Sequence, residues 1–226
     1  RDDTCLILED YLTRYGEKIH RIYEDKGNLG ASNSFSSLIE YVLREKELLG
    51  LASAYIMFCD QDDIWLPQKV ELQVKQMLNA EKQIPNQPIL IHSDLHVVSA
   101  STQLIAESFI EYQGLEISRN NFANLIISNL VTGCTALINE ALAKSAIPIP
   151  KNAIMHDWWL ALVASSEGEV IFLKTPLVYY RQHGFNTIGA KKFTKEPITT
   201  KSLMQRLLKT EPNQHLFEVA AQAREF

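Results

Sequence analysis

The stretch Tyr55–Trp65, YIMFCDQDDIW, decides the fold of this chain. Its first five residues form an apolar run, and their number and aromatic content predict a strand buried on both faces. The run ends abruptly in the acidic turn Asp60–Asp63, and Pro67 then opens a predicted helix. A strand, a polar turn and a helix in this order form the repeating unit of an open α/β sheet. Such sheets bind their ligands at the carboxyl ends of the strands.

The acidic turn itself predicts either a cation site or a solvated turn. Asp60, Asp62 and Asp63 place three carboxylates within four positions, and like charges at this spacing raise one another's pKa. A divalent cation would neutralise them, and carboxylate oxygens suit Mg²⁺ or Mn²⁺. The alternative is an exposed turn that merely precedes the helix. Its position after a buried strand favours the metal.

Working outward from this turn, hydrophobic periodicity predicts further helices and strands. A helix is expected over Phe35–Leu43 with Ser34 as its N-cap, and a strand over Ile89–Ile91 that runs into His92-Ser93-Asp94. A buried helix at Trp158–Ser165, a strand at Val170–Leu173 and a turn at Pro176 follow. We therefore expect one α/β domain over residues 1–190 and a helical C-terminal extension over 191–226.

Three further positions carry candidate chemistry, each with a plain structural alternative. Asp157 lies between His156 and two tryptophans, where it would serve either as a general base or as the N-cap of a helix. Arg181 and His183 would contact a diphosphate or complete a metal shell, or simply end a strand. Gly133, in Val-Thr-Gly-Cys-Thr, would admit a ligand close to the backbone or form an ordinary turn.

Composition narrows the function classes. The net charge of −5 argues against a nucleic-acid partner. Cys5, Cys59 and Cys134 form no CxxC pair, which predicts free thiols in a reducing compartment. No apolar run approaches the ~18 residues of a membrane helix, so the expected location is cytoplasmic. Basic residues on the predicted C-terminal helix leave peripheral association with the inner face of the cell membrane as an alternative to ordinary packing.

Six motifs, taken in order, resemble glycosyltransferase family 2, in particular its bacterial rhamnosyltransferase-like branch. They are RDD at 1–3, NLG at 28–30, YIMFCDQDDIW at 55–65, VTGCTALIN at 131–139, HDWW at 156–159 and YRQHGFN at 180–186. Each motif alone is weak, whereas the series is specific. The resemblance implies a GT-A fold, which is a Rossmann-like α/β/α sandwich with a mostly parallel central sheet.

The resemblance also implies roles for individual residues. Nucleotide-sugar binding falls on Asp2, Asp3, Asp60, Asp62, Arg181 and His183. A Mg²⁺ or Mn²⁺ cofactor would be held by the DxD carboxylates Asp60 and Asp62 together with His183, with Asp63 as a neighbouring helper. Asp157 falls on the catalytic base, while Gly133, Trp158 and Asp94 fall on the acceptor side.

The implied activity is an inverting, metal-dependent transfer of a sugar, with rhamnose favoured, from a dTDP- or UDP-sugar. The acceptor hydroxyl would belong to a saccharide or lipid-linked oligosaccharide in bacterial surface polysaccharide synthesis. The family's first strand and the loop after Asp3 are not found, and we expect that such segments are missing from this sequence. Competing readings are a metal-dependent phosphoryl-transfer enzyme and a non-catalytic carbohydrate-binding or scaffold protein with a decayed transferase fold.

Overall fold

A computed structural model describes residues 3–20, 22, 27–183, 189–190 and 214–226. The chain forms two compact units, Arg1–Gly30 and Ala31–Phe226. The first unit contains helix α1 (Thr4–Tyr15) and a 3₁₀ turn (Gly16–Lys18). Every side chain of α1 is at least partly exposed, so this helix contributes no fully buried residue to a core.

The second unit contains seven further described helices and six strands. The helices are α2 (Gly30–Arg44), α3 (Lys69–Gln83), α4 (Phe109–Tyr112), α5 (Phe122–Leu125), α6 (Glu140–Ala146), α7 (His156–Glu167) and α8 (Gln214–Ala223). The strands are β1 (Ile56–Met57), β2 (Ile64–Trp65), β3 (Ile89–Ser99), β4 (Leu104–Ala106), β5 (Leu137–Ile138) and β6 (Glu169–Gln182).

The strands form one mixed sheet in the order β1-β5-β3-β6-β2, with β4 paired to β3. The two long strands, β3 and β6, run parallel from the pair Ile89–Glu169 to the pair Ser99–Gln182. Every other described pairing is antiparallel. The α/β class is confirmed, and the expected parallel pairing holds for the two long central strands, whereas the short flanking strands run antiparallel.

Strand β6 differs from its prediction because it continues through Pro176 instead of turning there. Proline has no N–H to donate to a sheet, so it is tolerated in a strand chiefly at irregular positions. Pro176 lies opposite Asp94, where the register between β3 and β6 shifts. The register shift accommodates the proline, and the strand continues to Arg181 and Gln182 beside the acidic turn.

Smaller differences concern the ends of elements. Regular pairing of the predicted Tyr55–Cys59 strand is limited to Ile56–Met57, which are only half-buried, although the following Phe58 is buried. Helix α2 begins at Gly30, so Ser34 lies inside the helix and is not its N-cap. Helix α3 begins at Lys69, two residues after Pro67.

Of the helical extension predicted over 191–226, the structure describes residues 214–226, which contain α8. Val219 of α8 belongs to the main hydrophobic core, and the ring of Phe226 lies 4.8 Å from that of Trp159 in α7. The two compact units divide at Gly30. Residues 191–213, which include most of the predicted extension, lie outside the described part of the chain. Among the described helices, none has both the length and the apolar character needed to cross a membrane.

Candidate active site

A cavity of about 580 Å³ opens in the second unit beside the acidic turn and the start of α7. Six of the residues predicted from the sequence line it: Asp60, Asp62, Gly133, Asp157, Trp158 and His183. These residues come from four separate parts of the chain, and the fold brings them to one place.

Asp157 is the most completely defined group in this cavity. It is the second residue of α7, and its side chain is buried, with 7% of the residue exposed. Oδ1 accepts the backbone N–H of Trp158 at 2.7 Å and the side-chain amide of Asn129 at 3.3 Å. Oδ2 accepts the backbone N–H of Gly133 at 2.8 Å. A carboxylate has about four acceptor positions, so three are occupied and the remaining one is on Oδ2.

Asp157 fills the predicted capping role only in part. It is not the N-cap, which is Met155, yet its carboxylate binds a backbone N–H of the first helical turn. Burial raises the pKa of Asp157 to about 6, although the hydrogen bonds from Trp158 and Gly133 lower it in part. A pKa near the working pH is what a general base requires.

The three carboxylates of the acidic turn differ in their position relative to the cavity. Asp60 and Asp62 face the cavity, whereas Asp63 is not part of its lining. Ligand atoms of Asp60, Asp63 and Cys134 lie within 4.8 Å of one another. Burial, followed by the charges of Asp63 and Asp62, raises the pKa of Asp60 to about 6. The turn therefore concentrates negative charge beside the cavity.

His183 lies next to this turn on the cavity side. Its Nε2 atom is 2.5 Å from Oδ2 of Asp62. Within the described residues, Asp60, Asp62 and His183 do not form a group as tight as that of Asp60, Asp63 and Cys134. Nevertheless, the predicted set is the one that lines the cavity.

Asp63 connects the acidic turn to β6. Its Oδ1 atom accepts the backbone N–H of Arg181 at 3.1 Å, a contact between residues 118 positions apart. The end of β6 is thereby held against the turn, two residues before His183. Arg181, predicted to contact the diphosphate, is not part of the cavity lining in this structure.

Gly133 supports Asp157 and is itself tightly enclosed. A Cβ at this position would lie 2.9 Å from Nε2 of His156 and 3.5 Å from Oδ2 of Asp157. The glycine is required by space, since its φ does not lie in the left-handed region. Two further hydrogen bonds support this turn. The buried Gln73 side chain donates to the carbonyl of Thr135 at 2.6 Å, and it accepts from the ammonium of Lys69 at 2.7 Å.

Trp158 and Asp94, both predicted on the acceptor side, have different positions. Trp158 lines the cavity while its indole N–H donates to the carbonyl of Leu125 at 2.5 Å. Asp94 does not line the cavity itself. Its carboxylate accepts from the hydroxyl of Ser108 at 2.5 Å and from the backbone N–H groups of Phe109 at 3.1 Å and Ile110 at 3.3 Å. Asp94 therefore positions Phe109, which does line the cavity.

Two predicted nucleotide contacts belong to the first unit. Asp2 lies outside the described residues. Asp3 immediately precedes α1 and is exposed, and its side chain makes no capping hydrogen bond to that helix.

Several residues that line the cavity are not among the site residues predicted from the sequence. They are Phe35, Phe109, Asn129, His156, Tyr180 and His215. Asn129 belongs to no motif, and it lies four residues after the end of α5, so its hydrogen bond to Asp157 becomes evident only in the structure. The position of His156 directly before Asp157 in the sequence is the feature that would have identified it as a site candidate. His215 reaches the cavity only because α8 packs on this unit, which no local pattern reveals.

Two comparisons with known proteins bear on this arrangement. The family model described as "Glycosyl transferase family 2" matches residues 1–145. The match includes the acidic turn and Gly133 and ends before Asp157. A curated protein of Shigella flexneri, "dTDP-rhamnosyl transferase RfbG", is 27% identical over 201 residues, which are 84% of this chain and 62% of that protein. This chain therefore spans less than two thirds of the relative's length.

The family match covers more than half of the chain. The α/β architecture, the mixed sheet and the cavity at the end of β1 are in keeping with it. The chain therefore belongs to glycosyltransferase family 2, and its fold is of the GT-A type.

Proposed function

We propose that this protein is an inverting, metal-dependent glycosyltransferase that moves a sugar from a nucleoside-diphosphate sugar to a hydroxyl group of a saccharide acceptor. One observation carries the proposal. A buried carboxylate with a spare acceptor position, Asp157, shares a single cavity with the acidic residues Asp60 and Asp62. This arrangement supports the proposal, because the reaction needs a base for the acceptor and a cation site for the diphosphate.

The proposed reaction is a single displacement. As the acceptor oxygen forms its bond to the anomeric carbon, the bond from that carbon to the diphosphate oxygen breaks, and its electron pair leaves with the nucleoside diphosphate. Oδ2 of Asp157 takes the proton of the attacking hydroxyl, because it is the carboxylate oxygen with an unused acceptor position. Attack opposite the leaving group inverts the anomeric configuration.

The cavity side of the acidic turn suits a divalent cation. Asp60, Asp62 and His183 would hold it, since all three line the cavity and offer carboxylate oxygens and an imidazole nitrogen. Asp63 and Cys134 are less suited: they are not part of the lining, and burial holds the pKa of the Cys134 thiol well above its ordinary value. When bound, Mg²⁺ or Mn²⁺ would stabilise negative charge on the departing diphosphate.

For the donor we propose dTDP-rhamnose, with UDP-sugars as the next candidates. Support comes from the name of the Shigella flexneri relative, which describes a dTDP-rhamnosyl transferase. An acceptor within a bacterial surface polysaccharide or its lipid-linked precursor is part of the same proposal.

The test is a transfer assay with dTDP-rhamnose and UDP-sugars, Mn²⁺ or Mg²⁺, and a panel of saccharide acceptors. Released nucleoside diphosphate is measured by chromatography and the anomeric configuration of the product by NMR. We expect a cation-dependent product of inverted configuration. A product of retained configuration, or donor cleavage to a sugar phosphate, would contradict the proposal.

A further inference from the structure

We propose that His156 is a second acceptor-binding residue, which takes the hydroxyl next to the one that Asp157 deprotonates. The site would thereby select acceptors that present two adjacent hydroxyl groups. This inference rests on the proposed function, because it concerns the acceptor side of the same cavity.

His156 is a buried polar side chain without a partner. Only 3% of the residue is exposed, and neither Nδ1 nor Nε2 has a hydrogen bond within the described part of the chain. Buried polar groups are nearly always paired, and leaving one unpaired costs free energy. His156 lines the cavity, so a ligand bound there would supply the missing partner.

The surroundings of the ring explain where that partner would come from. The ring of Phe35 lies 4.3 Å from that of His156, and the ring of Phe58 lies 5.1 Å from it at an interplanar angle of 62°. These aromatic contacts fix the plane of the imidazole but offer it no conventional hydrogen bond. His156 and Phe35 both line the cavity.

Gly133 leaves the space that His156 and Asp157 share. The position of a Cβ on Gly133 is 2.9 Å from Nε2 of His156 and 3.5 Å from Oδ2 of Asp157. Both atoms therefore lie close to Gly133, and a side chain at residue 133 would crowd His156 first. Oδ2 is also the oxygen that carries the spare acceptor position.

The chemistry of the two groups is complementary. Burial lowers the pKa of His156 to about 4, so its ring is neutral where Asp157 is ionised. A neutral imidazole has one donor and one acceptor, which matches a hydroxyl group. Asp157 is the stronger base of the two, which leaves His156 to orient the sugar. Sites built to bind a hydroxyl discriminate strongly against analogues that lack it.

The test compares His156→Phe with His156→Gln in the presence of dTDP and Mn²⁺. Phenylalanine keeps an aromatic ring between Phe35 and Phe58 without polar atoms, whereas glutamine restores an amide near Nε2. His92→Phe is the matched control, because His92 is equally buried with an unpaired Nε2 but does not line the cavity. Affinity is measured by NMR titration with methyl pyranosides of glucose, galactose, mannose and rhamnose, and with the deoxy analogues of those that bind.

We expect His156→Phe to weaken binding of the preferred pyranoside about tenfold or more, and His156→Gln to recover part of it. The deoxy analogue that binds the wild type poorly should bind His156→Phe no worse. The dissociation constant for dTDP should stay within twofold, and His92→Phe should bind both ligands as the wild type does.

Pyranoside affinity within twofold of wild type in His156→Phe would overturn the inference, and so would a wild-type protein that binds dTDP but no pyranoside. Failure to bind dTDP or any nucleotide would instead count against the proposed function.

Discussion

At the scale of the residue, the proposed chemistry depends on the environment of Asp157. Its pKa in the folded protein, about 6, exceeds the ordinary 3.8 because the carboxyl is buried. Ionisation of this group therefore opposes folding, and its contribution to stability is lost as pH rises from 3.8 through about 6. The same shift keeps the carboxylate basic enough to accept a proton from a sugar hydroxyl.

The first prediction concerns the pH dependence of transfer. Since Asp157 must be ionised, kcat/KM should rise with pH through about 6 and level off above it. Asp157→Asn should lower kcat by roughly 10² to 10⁴ and remove this rise. The measurement is initial rate against pH, with dTDP affinity as the control. Unchanged kcat in Asp157→Asn would exclude the residue as the base.

The second prediction concerns Gly133. In Gly133→Ala, the new Cβ would stand 2.9 Å from Nε2 of His156, so the ring or the turn must shift. We expect a loss of about 1–3 kcal/mol in the free energy of unfolding, together with reduced transfer. Gly16→Ala is the matched control, because nothing lies within 4 Å of a Cβ there. Urea denaturation of both variants checks this, and equal stabilities would contradict the crowding described here.

At the scale of the element, long-range contacts hold the parts of the second unit together. Glu140, at the start of α6, accepts from the ammonium of Lys46 at 2.7 Å and from the backbone N–H of Ala54 at 3.1 Å. Lys144 of the same helix lies 2.7 Å from its other oxygen. These partners, Lys144 foremost, lower the pKa of Glu140 from 4.5 to about 2.

The third prediction follows from this ion-pair group. Because the folded pKa is depressed, the stabilisation is present above pH 4.5 and is lost as pH falls towards 2. Glu140→Gln should lower the free energy of unfolding by about 1–2 kcal/mol at pH 7. In denaturation experiments, the deficit of Glu140→Gln relative to the wild type should be present at pH 7 and shrink as pH falls from 4.5 towards 2. The exposed control Glu71→Gln should match the wild type throughout. A deficit that persists unchanged at low pH would refute this role.

The fourth prediction concerns the attachment of α8. The buried side chain of Gln222 accepts the backbone N–H of Ile154 at 2.9 Å, two residues before α7. Gln222→Leu would leave that N–H unpaired and should destabilise the protein by about 1–3 kcal/mol. Gln214→Leu, an exposed change in the same helix, should cost far less. Urea denaturation distinguishes the two, and equal effects would mean that Gln222 does not fix α8.

The elements also show which features a sequence can reveal. Helices α2, α3 and α7 follow from their apolar patterns, and the acidic turn after β1 locates the cavity. The continuation of β6 through Pro176 depends on a register shift opposite Asp94, which involves a partner strand and is invisible locally. The hydrogen bonds by which Asp94 positions Phe109, a residue of the cavity lining, also become evident only in the structure. Likewise, the lack of a hydrogen-bond partner for His156 becomes evident only in the structure, where Phe35 and Phe58 pack against its ring.

At the scale of the whole molecule, one cavity is lined by Asp157 of α7, by the acidic turn after β1 and by His183, which follows β6. The central claim is that the acidic side of this cavity binds a nucleoside diphosphate through a divalent cation. Asp62 is the residue to change, because it faces the cavity and contacts His183.

The most direct test is a thermal-shift titration of wild type and Asp62→Ala with dTDP, UDP and other nucleoside diphosphates, with and without Mn²⁺. Binding to the native state raises the apparent stability by mass action. We predict a rise in Tm that requires Mn²⁺, is largest with dTDP and disappears in Asp62→Ala. A nucleotide-induced rise that is unchanged without Mn²⁺ or in the variant, or no rise with any nucleotide, would contradict the claim.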